Sequence, residues 1–224
     1  RMLGRFTVAV AARPLVSLAV LGLCVAGLVV AASGARFDYE RKRYFAEGDA
    51  VRVADGVLSD RLGGLNFLDV VVEAPEAGGI LRAETVAALG ALRRELAALP
   101  GVTRVSAIDD YVEVMHRALT GEDAARIPLS GNRPAQYMFL YEAAGEPEDF
   151  RHEIDYDQRH ARVRAQLDTD RYQAVRPIVD RVEALAARWA GEHGLVAVPT
   201  GRVAVNDGWM TQLASTHFQG LGLA

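Results

Sequence analysis

Two groups of acidic and histidine side chains have spacings that suit metal binding. In the first group, Glu113 and His116 follow Asp109 by four and seven residues, so all three share one face if the segment is helical. Carboxylate and imidazole groups are common ligands of divalent cations such as zinc. A solvated acidic helix surface has the same spacing, and it is the interpretation we favour. We therefore assign no metal site to this group.

The second group lies in the stretch HEIDYDQRH, which brings His152, Asp155, Asp157 and His160 together. A calcium site would need more oxygen ligands held in a fixed loop, and the glycine-bearing pattern of an EF-hand is absent. A polar turn ahead of a strand accounts for these residues, and we favour it.

Motifs that would indicate an enzyme are missing. The sequence contains no phosphate-binding loop ending in Gly-Lys-Ser/Thr, no Gly-x-Ser-x-Gly and no His-Glu-x-x-His. Its one cysteine, Cys24, lies in an apolar run, where a thiol is a small apolar filler and a poor nucleophile. A membrane-anchored hydrolase would need a nucleophile–base set that is not recognisable here. The sequence predicts no enzyme and assigns no catalytic, cofactor-binding or metal-binding residue.

Aromatic side chains are the remaining candidates for contact with a ligand. Tyr137, Met138, Phe139 and Tyr141 crowd one short segment, where they either line an apolar cleft or belong to the core. We favour the core. Trp209 and Phe218, in the last stretch, suit either a membrane interface or packing between domains, and both interpretations stay open; the substrate-binding residues are unknown.

An uncharged run of 22 residues, 14–35, separates Arg13 from Arg36. As a helix, it would extend about 33 Å, enough for a hydrocarbon core of about 30 Å. Secretory signals have shorter apolar cores, of about 7–15 residues. We therefore predict a retained transmembrane helix in residues 1–35, with the N-terminus inside. The small residues 31–35 leave a cleaved signal peptide as the alternative.

The rest of the chain, residues 36–224, is acidic. It carries 22 basic and 29 acidic side chains, a net charge of −7. A nucleic-acid partner would require a basic face, so this balance argues against one. A stretch of this length buries a sizeable core as one large lobe or two small ones.

Hydrophobic periodicity predicts an α+β body. Strands are expected at 66–74, from 102, at 160–168 and at 195–201, and helices at 49–62, 82–99, 109–119, 172–194 and 202–224. In the second helix, Val86, Leu89, Leu92 and Leu96 are predicted to face inward and Arg93 outward. A polar loop at 120–134 and an apolar element of undetermined type at 135–145 fill the middle. The order strand, helix, strand, insert, strand, helix, strand is the split βαβ arrangement of a ferredoxin-like sandwich.

Several stretches carry a resemblance to a known family. They are RYFAEGDAV (43–51), LDVVVEAP (68–75), the helix, Leu-Pro-Gly-Val break, strand and helix of 81–119, YEAAGEPEDFRHEIDYDQRHARVRAQLDT (141–169) and VPTGRVAVND (198–207). In this order and spacing, the chain resembles the first part of resistance-nodulation-division (RND) exporters. Its nearer likeness is to their MMPL-like and hopanoid-transporter-like lipid-exporting branch.

The resemblance implies a longer transporter in the bacterial inner membrane. Residues 36–224 would then be a periplasmic porter domain that ends in a lead-in to a second transmembrane helix. The implied activity is proton-driven export of lipids, hopanoid-like or other, or of other hydrophobic compounds. Because the predicted span holds no acid, the proton relay would lie in a later span.

The resemblance also implies a set of partners. They are the lipid bilayer, a lipid or hydrophobic cargo, the remainder of the transporter and, in some relatives, further copies of the chain. The alternative hypothesis is a membrane-anchored or secreted ferredoxin-like binding module without further spans.

Overall fold

The computed structural model describes residues 12–33, 38, 40–121, 131–144 and 151–222. The chain divides into two compact units, residues 1–37 and residues 38–224. The first unit contains helix α1, Pro14–Ser33. Its residues Pro14–Ala31 have a mean hydropathy of 2.5 and none is buried. Among the described residues, α1 is the one helix long and apolar enough to cross a membrane, a property that N-terminal signal sequences share.

The second unit is an α+β body, as predicted. Its helices are α2 (Ala50–Leu62), α3 (Ala83–Ala97), α4 (Ile108–Thr120), α5 (Arg133–Ala144), α6 (Tyr172–His193) and α7 (Gly201–Gly222). Its strands are β1 (Asn66–Glu73), β2 (Val102–Ser106), β3 (His160–Leu167) and β4 (Val196–Thr200). Short 3-10 helices occupy Arg41–Tyr44 and Gly79–Leu81.

The four strands form one antiparallel sheet in the order β2-β3-β1-β4. Strand β1 pairs with β3 along its whole length and with β4 over its second half. Each predicted strand is present, within a residue or two of its expected ends. The sheet therefore brings the two βα units together through the strands that begin them.

The core lies against one face of this sheet. On β1, Leu68, Val70 and Val72 are fully buried, while the residues between them are half-buried. Burial of each such side chain contributes roughly 1.5–3 kcal/mol. The indole N–H of Trp189, on α6, donates to the Ala88 carbonyl oxygen of α3 at 3.1 Å. The other helix residues in this cluster include Val86, Leu89, Leu92 and Leu96 from α3, as predicted, and Val179, Val182 and Leu185 from α6.

Two helices form the insert between β2 and β3. Helix α4 confirms the helix predicted at 109–119, and the element of undetermined type proves to be α5. The polar loop predicted at 120–134 lies largely outside the described residues, which resume at Gly131 after Gly121.

Local chemistry sets the ends of α2. The Asp49 carboxylate accepts a hydrogen bond from the Val51 backbone N–H at 2.8 Å, and Gly63 closes the helix with a φ of 78°. Gly64 follows with a φ of 110°, and a Cβ there would lie 1.9 Å from the Leu167 carbonyl oxygen. Only glycine fits this close approach of the α2–β1 turn to β3.

We expect Gly64→Ala to lower the free energy of unfolding by about 2–4 kcal/mol, because backbone must move to admit the methyl group. Gly191→Ala, on α6 with open space around its Cα, is the matched control and should stabilise by roughly 0.5–1 kcal/mol. Denaturant unfolding of the full chain, followed by tryptophan fluorescence, measures both. Equal stability of the two variants would contradict the close contact.

Candidate functional site

The chain enters the second unit through a clamp at the start of α6. Asp38 Oδ2 accepts hydrogen bonds from Arg171, 2.6 Å from Nη2 and 3.2 Å from Nε. Asp38 Oδ1 accepts from the backbone N–H of Gln173 at 3.3 Å. Arg171, the N-cap residue of α6, makes no side-chain capping bond itself, so Asp38 acts as the cap from a distance. The hydrogen bond from Arg171 lowers the pKa of Asp38.

A groove of about 520 Å³ opens beside α2. This volume lies within the range of small-molecule sites. The polar side of α2 forms one wall, the β3–α6 loop at 168–170 forms the other, and the turn 64–66 lies between them. The apolar lining comes from Phe45, Val51, Leu65 and Leu167. A smaller cavity of about 180 Å³ shares Asn66, Asp170 and Arg202 with the groove and runs toward α7.

The cationic side chains that line the groove form ion pairs or hydrogen bonds with neighbouring groups. Lys42 Nζ lies 3.1 Å from Glu40 and 3.7 Å from Asp170, and the hydrogen bond to Glu40 raises its pKa. Arg52 Nη1 donates to the Phe45 carbonyl oxygen at 3.2 Å.

Arg202 Nη2 donates to the Asn66 side-chain oxygen at 3.2 Å. With these three cations and the carboxylates Asp55, Asp60, Asp168 and Asp170, the groove has mixed charge. The described residues that line it include no histidine or cysteine.

Helix α2 turns its polar side toward the groove and its apolar side away from the body. Arg52, Asp55 and Ser59 line the groove, and the helix contains no buried residue. Val51 also lines the groove, whereas Ala54, Val57, Leu58 and Leu62 lie outside its lining, and all five of these side chains are exposed. The Gln166 amide holds the end of the helix, because it donates to the carbonyl oxygens of Leu62 at 2.7 Å and Gly64 at 2.6 Å.

The first candidate metal group contributes to a partly buried ionic cluster, and Asp109 and His116 of the group are buried, which corrects our interpretation of the group as solvated surface. The Arg93 guanidinium lies between three carboxylates of α4: 2.7 Å from Asp109, 3.0 Å from Asp110 and 3.3 Å from Glu113. Asp109 is 3% exposed, and its Oδ1 has no hydrogen-bond partner among the described residues. Arg93, predicted to face outward, has a side chain only 20% exposed.

His116, the third member of that group, points elsewhere. It is 2% exposed, and its Nδ1 lies 2.8 Å from the Tyr137 hydroxyl of α5. This buried bond joins the two helices of the insert. Within the described residues, no group of three or more His, Cys, Asp or Glu side chains could hold a metal ion.

The second group forms the polar turn that the sequence predicts. Asp155 Oδ1 accepts from the backbone N–H groups of Arg159 and His160, both at 2.8 Å. Asp155 Oδ2 lies 2.7 Å from His160 Nδ1. His152 and Asp157 are exposed. The turn leads the chain into β3.

Aromatic candidates divide between core and surface. Tyr137 and Met138 are buried, as favoured, whereas Phe139 is 69% exposed and Tyr141 half-buried. Trp209 is exposed on α7, and the side chain of Phe218 lies outside the described set. Cys24 is exposed on the apolar surface of α1.

Sequence reasoning missed the groove and the Asp38 clamp. Both depend on contacts between residues far apart in the chain, such as Asp38 with Arg171 and Gln166 with Leu62. The one local signal was the clustering of Arg52, Asp55 and Ser59 on a single side of α2.

No protein-family model matches the chain, and no curated protein matches its sequence.

The partly buried ionic cluster predicts a pH dependence of stability. Burial raises the pKa of Asp109 to about 6, against the opposing effect of Arg93. The native state therefore binds this proton more tightly than the unfolded chain, so the Asp109 contribution to stability falls as pH rises from about 4 to 6. Asp109→Asn removes this titration. The unfolding free energy of the variant minus that of the wild type should therefore increase by up to about 3 kcal/mol as the pH rises from about 4 to 7.

Denaturant unfolding of both full-length chains over this pH range measures the difference. Asp157→Asn, at an exposed position, is the control and should run parallel to wild type. A difference between Asp109→Asn and wild type that stays constant with pH would contradict the raised pKa.

Proposed function

We propose that the chain is the first transmembrane helix and first porter domain of a proton-driven RND-type exporter in the MMPL-like or hopanoid-transporter-like branch. The observation that carries the proposal is the combination of α1 with a body in which two βαβ units share one antiparallel sheet. The sequence resemblance over 43–207 has the same order of elements. The cargo class is a lipid, hopanoid-like or other, or another hydrophobic compound.

The strand order supports a ferredoxin-like porter domain. In β2-β3-β1-β4, strand β3 separates the two strands of the first βαβ unit, and β1 separates those of the second. This interleaving is what a split βαβ arrangement requires, and it supports the proposal. Helices α4 and α5 then form the helical insert between the two units.

The groove supports handling of an amphiphilic cargo. It combines apolar surface from Phe45, Val51 and Leu65 with three cations and four carboxylates. A site of this composition holds an apolar body while polar groups fix its orientation. Export itself requires energy, and α1 carries no acidic residue, so the proton relay belongs to other spans of the transporter.

Localisation follows from the same proposal. Helix α1 would anchor the chain in the bacterial inner membrane with residues 1–13 on the cytoplasmic side. The body of net charge −7 would then lie in the periplasm.

The alternative is a membrane-anchored or secreted ferredoxin-like binding module. It is favoured by one observation: α1 has the length, composition and N-terminal position that a signal sequence also has. In that case the groove would bind its ligand without any coupling to transport.

The reading frame downstream of Ala224 separates the two proposals. A transporter gene continues into another apolar run of about 20 residues. A stop codon close to Ala224 would favour the binding module and remove the transport proposal.

Lipid analysis of cells tests the role of the groove. In the intact transporter, Gly56→Trp should fill the groove, because Gly56 lines it and nothing lies within 4 Å of an added Cβ. We expect this variant to lose most of the export that the wild-type gene restores to a deletion strain. Gly191→Trp, also on a helix with open space around it, is the matched control and should export normally. Normal export by Gly56→Trp would exclude the groove from the cargo route.

A further inference from the structure

Helix α2 exposes apolar surface that the body does not cover. Outside the groove lining, Val53, Val57, Leu58 and Leu62 are each 46–58% exposed. An isolated helix of 13 residues is marginal in water, and most helical stability comes from packing of an apolar face. The arrangement is inverted relative to an ordinary surface helix, whose apolar stripe faces the core. An apolar environment outside the body would therefore stabilise α2.

The covalent chain limits where that environment is. Helix α1 ends at Ser33, and the body begins at Asp38, which Arg171 and Gln173 hold in place. The five Cα–Cα steps from Ser33 to Asp38 extend at most about 18 Å. If α1 stays in a bilayer, the start of the folded body cannot leave the bilayer surface by more than this distance.

An exposed tyrosine precedes α2 on the same stretch of chain. Tyr44 is 77% exposed, and the amphipathic ring of tyrosine is enriched at membrane interfaces. Arg61 follows Val57 by one helical turn, so its stem can lie along the apolar face while its guanidinium reaches lipid phosphates. Residues 41–62 carry five basic and four acidic side chains, whereas residues 36–224 have a net charge of −7. An anionic bilayer therefore repels this stretch less than it repels the rest of the acidic body.

A second copy of the chain is a weaker fit to this face. Four side chains, each about half exposed, cover far less than the roughly 800 Å² per partner of a stable protein interface. An interfacial helix needs only enough apolar surface to enter the headgroup region by about 5–10 Å.

We infer that α2 is an interfacial helix: its outward side chains Val53, Val57, Leu58 and Leu62 lie in the lipid headgroup region, with Tyr44 beside them. The inference rests on the retained α1 of the proposed function and is independent of the cargo. The opposite side of α2 lines the groove, so the groove then opens close to the bilayer surface, where an amphiphilic lipid can reach it.

Fluorescence quenching in vesicles tests this inference. The full chain is reconstituted into phosphatidylethanolamine–phosphatidylglycerol vesicles, and single cysteines at Val57 or Leu58, in a Cys24→Ser background, carry an environment-sensitive fluorophore. Nitroxide lipids with a shallow spin label quench from the bilayer, and iodide quenches from water. The matched control is Val198 on β4, which is 52% exposed, against 50% for Val57. The native Cys24 label reports on α1.

We expect nitroxide lipid to remove more than about half of the signal at positions 57 and 58, as a depth of 5–10 Å implies, and iodide to have little effect there. Position 198 should show the reverse. Quenching of 57 and 58 by iodide alone, or by neither quencher, would overturn the inference, since the helix would then face water or another protein. If the Cys24 label itself escapes the nitroxide lipid, the retained anchor fails and the inference fails with it.

Discussion

The short covalent connection between α1 and the body is the constraint on which the whole account depends. Only residues 34–37 separate Ser33 from Asp38. The Asp38 carboxylate accepts hydrogen bonds from the Arg171 side chain and from the Gln173 backbone N–H at the start of α6. The five Cα–Cα steps from Ser33 to Asp38 reach about 18 Å at most. If the apolar helix stays in lipid, this length limits how far Asp38 can lie from the membrane surface.

Helix α2 gives this constraint a functional meaning. Its polar residues Arg52, Asp55 and Ser59 line the groove, while Val57, Leu58 and Leu62 lie outside the lining and are exposed. Gln166 and Gly64 fix its C-terminal end against β3. One helix thus forms a wall of a mixed-charge groove and presents apolar side chains on its outer surface.

Most helices and strands could be predicted from local sequence, but the burial of individual side chains depends on long-range contacts and could not. Neighbouring residues determine where α2 and β1 begin and end, through the Asp49 cap, Gly63 and the alternating burial in β1. Both elements therefore appear as predicted. Asp109 and His116 were interpreted as solvated because helical spacing alone does not say which side of α4 meets another helix. Arg93 and Tyr137, far from them in sequence, decide that they are buried. The groove and the Asp38 clamp stayed invisible for the same reason, since long-range contacts form them.

The most direct measurement of the central claim is the intact mass of the mature chain extracted from membranes of the producing cell. Retention of the apolar helix predicts a mass that includes residues 14–32, recovered only from the detergent-soluble membrane fraction. A mature N-terminus near Ala35, with the protein recovered free of membrane, would contradict the account, because the body would then have no bilayer beside it.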